Sequence, residues 1–295
     1  MEGTYTALVT PFHDDPSQTI HWEALDALID QQIAGRVSGL VPCGTTGECP
    51  TLSQGEQLDI LRRVVERVDG RVSIIAGTGT SSTRQTIERC HEAERAGVDA
   101  LMVVCPYYSR PSQEGLLEHF LAVADSVSRP IVVYNIPVRT GVDLLPDTLE
   151  KICRRAANVI AVKEATGNVT RTQALVRRFG DRLSILSGDD ALTLPIIAVG
   201  GRGVISVVSN LLPAEIARAT SLALENRLPE ARKAHLALLP LYEAMFLDSN
   251  PAPVKAALSM EGKMSDVVRA PLVTASEATR AALRAALEEY RRGNA

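Results

Sequence analysis

The chain has 295 residues, 45% of them hydrophobic and 22% charged, with a formal net charge of −4. That length holds one large α/β domain with an appendage, or two ordinary domains. The acidic balance leaves no electrostatic footprint for nucleic acid, and no apolar run approaches the roughly 18–20 residues of a membrane helix, so neither partner is expected.

The N-terminus, Met1-Glu2-Gly3-Thr4, lacks a basic region followed by an apolar stretch, and no signal peptide is expected. Eight β-branched, apolar runs then follow one another: 6–10, 39–44, 72–77, 100–106, 130–137, 159–165, 183–188 and 203–209. Amphipathic segments lie between them, such as Trp22–Ala34, Glu56–Val68 and Thr83–Ala96. Ser53-x-x-Glu56 has the spacing of a capping box, and Pro146 and Pro213 suit first helical turns. Near-continuous apolar runs are expected where both faces of a strand are buried. Strand–helix alternation at this spacing implies parallel strands with right-handed crossovers. Eight such units predict a TIM-type (β/α)8 barrel over residues 1–225. The alternative, a doubly wound open sheet, would usually carry a Gly-rich turn after its first strand; here that turn reads Thr10-Pro11-Phe12-His13-Asp14-Asp15. After the eighth run the strands stop. Segments 228–246, 253–260 and 276–292 predict a C-terminal helical appendage over residues 226–295.

The five cysteines, Cys43, Cys49, Cys90, Cys105 and Cys153, form no C-x-x-C pair. Scattered through apolar segments, they predict reduced, mostly buried thiols and a cytoplasmic protein.

In a barrel, reactive groups gather at the C-terminal ends of the strands and in the loops that follow. The unusual residues of this chain fall there. The second run ends in Cys43-Gly44-Thr45-Thr46-Gly47-Glu48, the fourth in Pro106-Tyr107-Tyr108, and the fifth in Tyr134-Asn135-Ile136-Pro137-Val138-Arg139. The sixth carries Lys163 after Val159-Ile160-Ala161-Val162, the seventh ends in Ser187-Gly188-Asp189-Asp190, and the eighth holds Gly203-Val204-Ile205-Ser206. Burial of a lysine lowers its pKa and makes the amine a nucleophile near neutral pH. The chain has five lysines; Lys151, Lys233 and Lys255 read as helix positions that reach water, and Lys263 sits in a polar Glu-Gly-Lys loop. Lys163 is therefore expected to be the one abnormal lysine.

These groups suit Schiff-base chemistry, in which a neutral lysine attacks a keto acid and the iminium serves as electron sink for an enamine. A Gly-Thr-Thr-Gly turn offers N–H groups and hydroxyls to the keto acid's carboxylate. Tyr134 and Thr46 could move the protons, and Arg139 is the strand-end cation for a second anionic substrate. Metal catalysis is the competing idea. His13 with Asp14 and Asp15, Glu48, and the Asp189-Asp190 pair are the ligand candidates, but Asp189-Asp190 opens a helix, where carboxylates cap N–H groups without metal. No metal is expected.

In order and spacing, Gly44-Thr45-Thr46-Gly47-Glu48, Pro106-Tyr107-Tyr108, Tyr134-Asn135-Ile136-Pro137-Val138-Arg139-Thr140-Gly141, Lys163-Glu164-Ala165-Thr166-Gly167-Asn168, Ser187-Gly188-Asp189-Asp190 and Gly203-Val204-Ile205-Ser206 resemble the dihydrodipicolinate synthase family of pyruvate-dependent aldolases. The likeness runs from about Thr4 to the C-terminal helices. It implies a Schiff base between Lys163 and pyruvate, and a proton relay of Tyr134, Thr46 and Tyr108, with Tyr108 donated across a dimer interface. It further implies that Thr45 and Thr46 hold the pyruvate carboxylate, that Arg139 binds the carboxylate of L-aspartate 4-semialdehyde, and that Gly188 and Ile205 line the site through backbone. A homotetramer of two tight dimers, no cofactor, and a product entering lysine and diaminopimelate biosynthesis also follow from it. The other functions weighed are a related pyruvate aldolase or dehydratase acting on a sugar acid, as in N-acetylneuraminate lyase, and a non-catalytic regulatory barrel. One departure concerns a possible allosteric pocket at Cys49, Ser81, Gln85 and Tyr107. Relatives inhibited by lysine carry a histidine pair, an asparagine and a glutamate where this chain has Gln54, Gln57, Ser81 and Gln85, and small residues where it has Pro50. Weak or absent inhibition by lysine is the expectation.

Overall fold

The computed structural model describes residues 1–294. Eight parallel strands close on one another in sequence order, β1 through β8, as a barrel. They are β1 (Gly3–Ala7), β2 (Gly39–Val41), β3 (Ser73–Gly77), β4 (Ala100–Val104), β5 (Ile131–Asn135), β6 (Val159–Glu164), β7 (Ser184–Ser187) and β8 (Gly203–Ser206). The crossovers are α1 (Trp22–Ala34), α2 (Gln54–Val68), α3 (Thr83–Ala96), α4 (Gln113–Ser126), the short α5 (Pro137–Thr140), α6 (Pro146–Arg155), α7 (Val169–Phe179) and α8 (Thr193–Ala198), and α9 (Pro213–Leu224) follows β8. Then come α10 (Leu228–Ala244), α11 (Ala252–Met260) and α12 (Glu277–Asn294). The expected barrel and helical appendage are both present.

Local chemistry explains the helix starts. Ser53 and Glu56 form the reciprocal capping box at α2, and the side chains of Ser82, Ser112 and Asn168 cap α3, α4 and α7. Pro146 and Pro213 occupy first turns, where a missing N–H costs nothing.

Strand bounds differ from the sequence expectation throughout, and three of the differences have a visible local setting. The first strand lies at Gly3–Ala7 rather than 6–10, because Thr4 and Thr6 hide their polarity. Thr4 donates its hydroxyl to Thr220 at 2.9 Å, and Thr6 donates to Gln32 at 2.7 Å. The second ends at Val41, since Cys43 takes a φ of +56°, which no ladder accommodates. The eighth ends at Ser206, after which residues 208–210 coil into a helical turn.

Inside the barrel, Tyr5, Ala7, Val41, Ile75, Met102, Val132, Tyr134, Ala161, Leu186 and Ile205 pack as one cluster. The main core lies between strands and helices and runs unbroken from Leu8 to Leu287. The turn between α9 and α10, where the sequence suggests a division at 225/226, therefore does not divide the core.

Candidate active site

The pleat of β6 decides where its lysine points. Ala161 faces the barrel interior and Val162 the helices, so Lys163 faces inward again. Lys163 sits opposite Tyr134 in the β5–β6 register, and its Nζ lies 4.2 Å from the centroid of the Tyr134 ring. The residue is 6% exposed. Burial lowers its amine from the usual lysine range to about 8, with Asp190 pulling the other way and Arg139 adding to the fall. The Tyr134 phenol is pushed up to about 12 by burial, against Arg139 and a hydrogen bond with Thr45.

Thr45 and Thr46 part company here. Thr45 joins Tyr134, whereas the Thr46 hydroxyl is buried and accepts a 3.0 Å hydrogen bond from Asn250 Nδ2. The sequence paired Thr46 with Tyr134 for the proton transfers; the hydrogen bond to Tyr134 comes from Thr45 instead. Gly188 leaves β7 with its N–H on the Glu164 carbonyl at 2.8 Å. A Cβ there would come within 2.6 Å of the Ala165 Cβ, so the seventh strand can approach the sixth this closely only with glycine. Ile205 is buried in the same interior cluster as Tyr134. Arg139 is exposed on the short α5, its charge felt by both Lys163 and Tyr134.

Tyr108 packs against almost nothing in its own chain. It is 95% exposed and holds a φ of +70°, a conformation that costs a bulky residue energy. Tyr107 beside it is 38% exposed, and Val138 on α5 is also exposed. Of the residues expected around an effector pocket, Ser81 and Gln85 are exposed and Cys49 is half-buried, its thiol pushed up to about 11 by burial. Gln57 is not available to a ligand: it is buried and donates to the carbonyls of Cys49 and Leu52 at 3.0 and 3.1 Å. Gln54 donates to Glu92.

Lys163 is not the one abnormal lysine. Lys255, read from sequence as reaching water, is completely buried and ion-paired with Glu48. Burial lowers its amine to about 8, against the pull of Glu48. Its helix packs with every side against protein, which a single lysine among alanines does not reveal. It makes a poor nucleophile all the same, since its Nζ is engaged by Glu48 and by the Val267 carbonyl at 2.8 Å.

Asp190 is a second residue that sequence undervalued. Asp189 caps the turn at Ala191 as expected, at 2.9 Å. Asp190 instead turns inward and accepts from the Val207 and Val208 N–H groups at 2.9 and 3.2 Å. It is fully enclosed, and burial raises its carboxyl to about 6 against the hydrogen bonds from Ser206, Val207 and Val208. Behind β5 and β6, Glu164 accepts from Arg171 Nε at 3.0 Å, Arg171 reaches Asp143, and Asp143 accepts from Asn135 at 2.8 Å. This network fixes the strand ends that carry Tyr134 and Lys163.

Among the described residues, the group of possible ligands that includes His13 is completed by His21 and Glu23, not by Asp14 and Asp15. These three offer ligand atoms within 4.8 Å of one another where the loop after β1 enters α1. Glu48 and Asp190 are engaged in the contacts above.

A profile of the Dihydrodipicolinate synthetase family matches residues 1–290. The chain belongs to this family. A 4-hydroxy-tetrahydrodipicolinate synthase of Sorangium cellulosum is 59% identical over 280 residues, covering 95% of this chain and 93% of that one. One from Thermomicrobium roseum is 48% identical over 287 residues, covering 97% and 94%. The solved structure of the 4-hydroxy-tetrahydrodipicolinate synthase of Methylacidiphilum fumariolicum SolV superposes with a TM-score of 0.97 at 45% identity, covering 99% of this chain and 96% of that one. The family's members by these names are enzymes, lyases of the synthase type, and the buried lysine–tyrosine pair of this chain sits in a barrel of the same shape.

Proposed function

We propose that the protein is a 4-hydroxy-tetrahydrodipicolinate synthase that condenses pyruvate with L-aspartate 4-semialdehyde through a Schiff base on Lys163. The observation that carries this reading is the inward-facing, buried Lys163 stacked over Tyr134 at the mouth of a closed barrel.

The chemistry follows from the groups in place. The neutral Nζ adds to the pyruvate carbonyl, and loss of water leaves an iminium. A methyl proton then departs, giving an enamine whose carbon attacks the aldehyde of the second substrate. The amino group of that substrate displaces Lys163 from the iminium carbon and closes the ring, for a net loss of one water. Tyr134, with Thr45 as its hydroxyl partner, is the group within reach for the proton transfers. The Gly44–Glu48 turn receives the pyruvate carboxylate through Thr45, Thr46 and backbone N–H groups, while Gly188 and Ile205 wall the pocket. Arg139, at the exposed rim, receives the carboxylate of the semialdehyde.

Tyr108 completes the relay of a neighbouring subunit. Its exposure and its left-handed backbone support that placement, since neither is explained by contacts within its own chain. The working form is a homotetramer of two such dimers. The free thiols, buried at Cys43, Cys90 and Cys105 and half-buried at Cys49 and Cys153, suit a reducing cytoplasm. Gln57, committed to backbone carbonyls, and Gln85, without a charge, make lysine a weak inhibitor. A coupled assay with pyruvate and L-aspartate semialdehyde, run beside a panel of sugar-acid aldehydes, tests the reading: turnover of the semialdehyde far above the rest is expected, and preference for a sugar-acid aldehyde would replace it with a lyase of the N-acetylneuraminate type.

A further inference from the structure

The Gly44–Glu48 turn is gripped from behind by the C-terminal helical unit. Glu48 closes the turn in a left-handed conformation, φ +57°, and is fully enclosed. One carboxylate oxygen meets Lys255 from α11; the other accepts from the Arg269 N–H at 2.9 Å. Lys255 and Arg269 both lie against the ring of Phe12, at 4.2 and 4.3 Å from its centroid. Arg269 in turn donates to the carbonyls of Gln18 and Thr51 and pairs with Glu56 at 2.6 Å. Two residues before Glu48, Thr46 accepts from Asn250, whose own Oδ1 is buried without a partner among the described residues. With its oxygen engaged, the Thr46 hydroxyl proton is left to donate to an anion.

An enclosed ion pair is an expensive way to fill space. Apolar side chains of similar volume often stabilise a protein as well or better. What an ion pair supplies is directionality, and here it is spent on the turn that faces Lys163. We propose that Glu48, Lys255 and Asn250 are positioning residues that set the orientation of the Gly44–Glu48 turn, so that the C-terminal unit controls affinity for the keto-acid carboxylate. This rests on the reading of that turn as the carboxylate site.

The test uses the full-length enzyme in two forms: a Glu48→Gln/Lys255→Met double variant, which removes both charges together, and Asn250→Ser, which removes one neutral hydrogen bond and leaves the ion pair. Each is checked for a single cooperative melt above assay temperature. Steady-state kinetics are then measured against each substrate, and borohydride trapping is done at saturating pyruvate. The KM for pyruvate should rise roughly ten- to a hundredfold in the double variant, the usual consequence of misplacing a binding group by about an ångström. Asn250→Ser should raise it about three- to tenfold, in line with one hydrogen bond. The KM for the semialdehyde should stay within about threefold, since Arg139 is not attached to this network. Lys163 should still be labelled. Should the double variant fail to fold, Asn250→Ser decides alone. A labelled parent with unchanged pyruvate KM in the folded variants overturns the positioning role and leaves the function standing. A parent that pyruvate and borohydride do not label overturns both.

Discussion

Lys163 shows how burial changes the acid–base character of one side chain. Four apolar residues carry it into the barrel, and the pleat turns it toward Tyr134 rather than toward solvent. Its amine titrates near 8 because burial disfavours the cation. The sign for stability follows: the folded pKa lies below the unfolded one, so between about 8 and about 10.4 the unfolded chain holds a proton that the fold does not, and stability rises with pH across that window. Activity has an acid limb for the same reason. The rate of iminium formation should climb about tenfold per pH unit below 8 and level above it. Single-turnover trapping from pH 6 to 9.5 checks this, and a rate flat across that range would mean that proton loss from Lys163 does not limit attack. Arg139 acts differently, from the exposed rim. Arg139→Ala should raise the KM of the semialdehyde at least about tenfold and leave that of pyruvate nearly unchanged, as expected for a lost charge-assisted hydrogen bond. The reverse pattern in initial-rate kinetics would exchange the two carboxylate sites.

Among the elements, β5 and β6 are the pair on which the geometry depends. Their register places Tyr134 opposite Lys163 and Asn135 opposite Glu164, so inward residues form the site while outward ones form its support. Glu164 is almost wholly buried and is held by Arg171 from α7. Arg171→Met leaves that carboxylate without its cation, which should cost about 3–5 kcal/mol. A fall in the chemical denaturation midpoint with an unchanged slope measures it; an unaltered midpoint would show that the network carries no weight. The strands were legible in the sequence as apolar runs, and Lys163, Tyr134 and Arg139 as exceptions at their ends. Other residues were not. Lys255 looked like a surface lysine because nothing local announces that α11 is enclosed on all sides. Asp190 looked like a cap, as its neighbour is, because the alternation that sends it to Val207 belongs to the tertiary structure. Thr46 was paired with Tyr134 instead of Thr45 because adjacent residues in a turn are indistinguishable by spacing.

At the scale of the molecule, the chain by itself leaves Tyr108 uncovered. Tyr108 is almost wholly exposed on its own chain, yet it is held in a strained backbone state. Mixing inactive Lys163→Arg with inactive Tyr108→Phe checks where it works. In a mixed dimer, action between subunits puts both lesions in one site and leaves the other intact, so activity should return toward about half of the parent value per heterodimer, as two independent sites require. Heterodimers that form and stay inactive would place Tyr108 in its own subunit's site. The C-terminal unit belongs to the same picture, because the core is continuous from barrel to appendage and the turn that faces Lys163 is tied to both.

The proposed chemistry stands on Lys163 as the covalent nucleophile. Treatment with pyruvate and borohydride, followed by digestion and mass mapping, tests it most directly. One reduced pyruvyl adduct is expected, on Lys163, absent from Lys163→Arg because arginine stays protonated. An adduct on Lys255 or any other lysine, or an active enzyme that acquires no adduct, would contradict it.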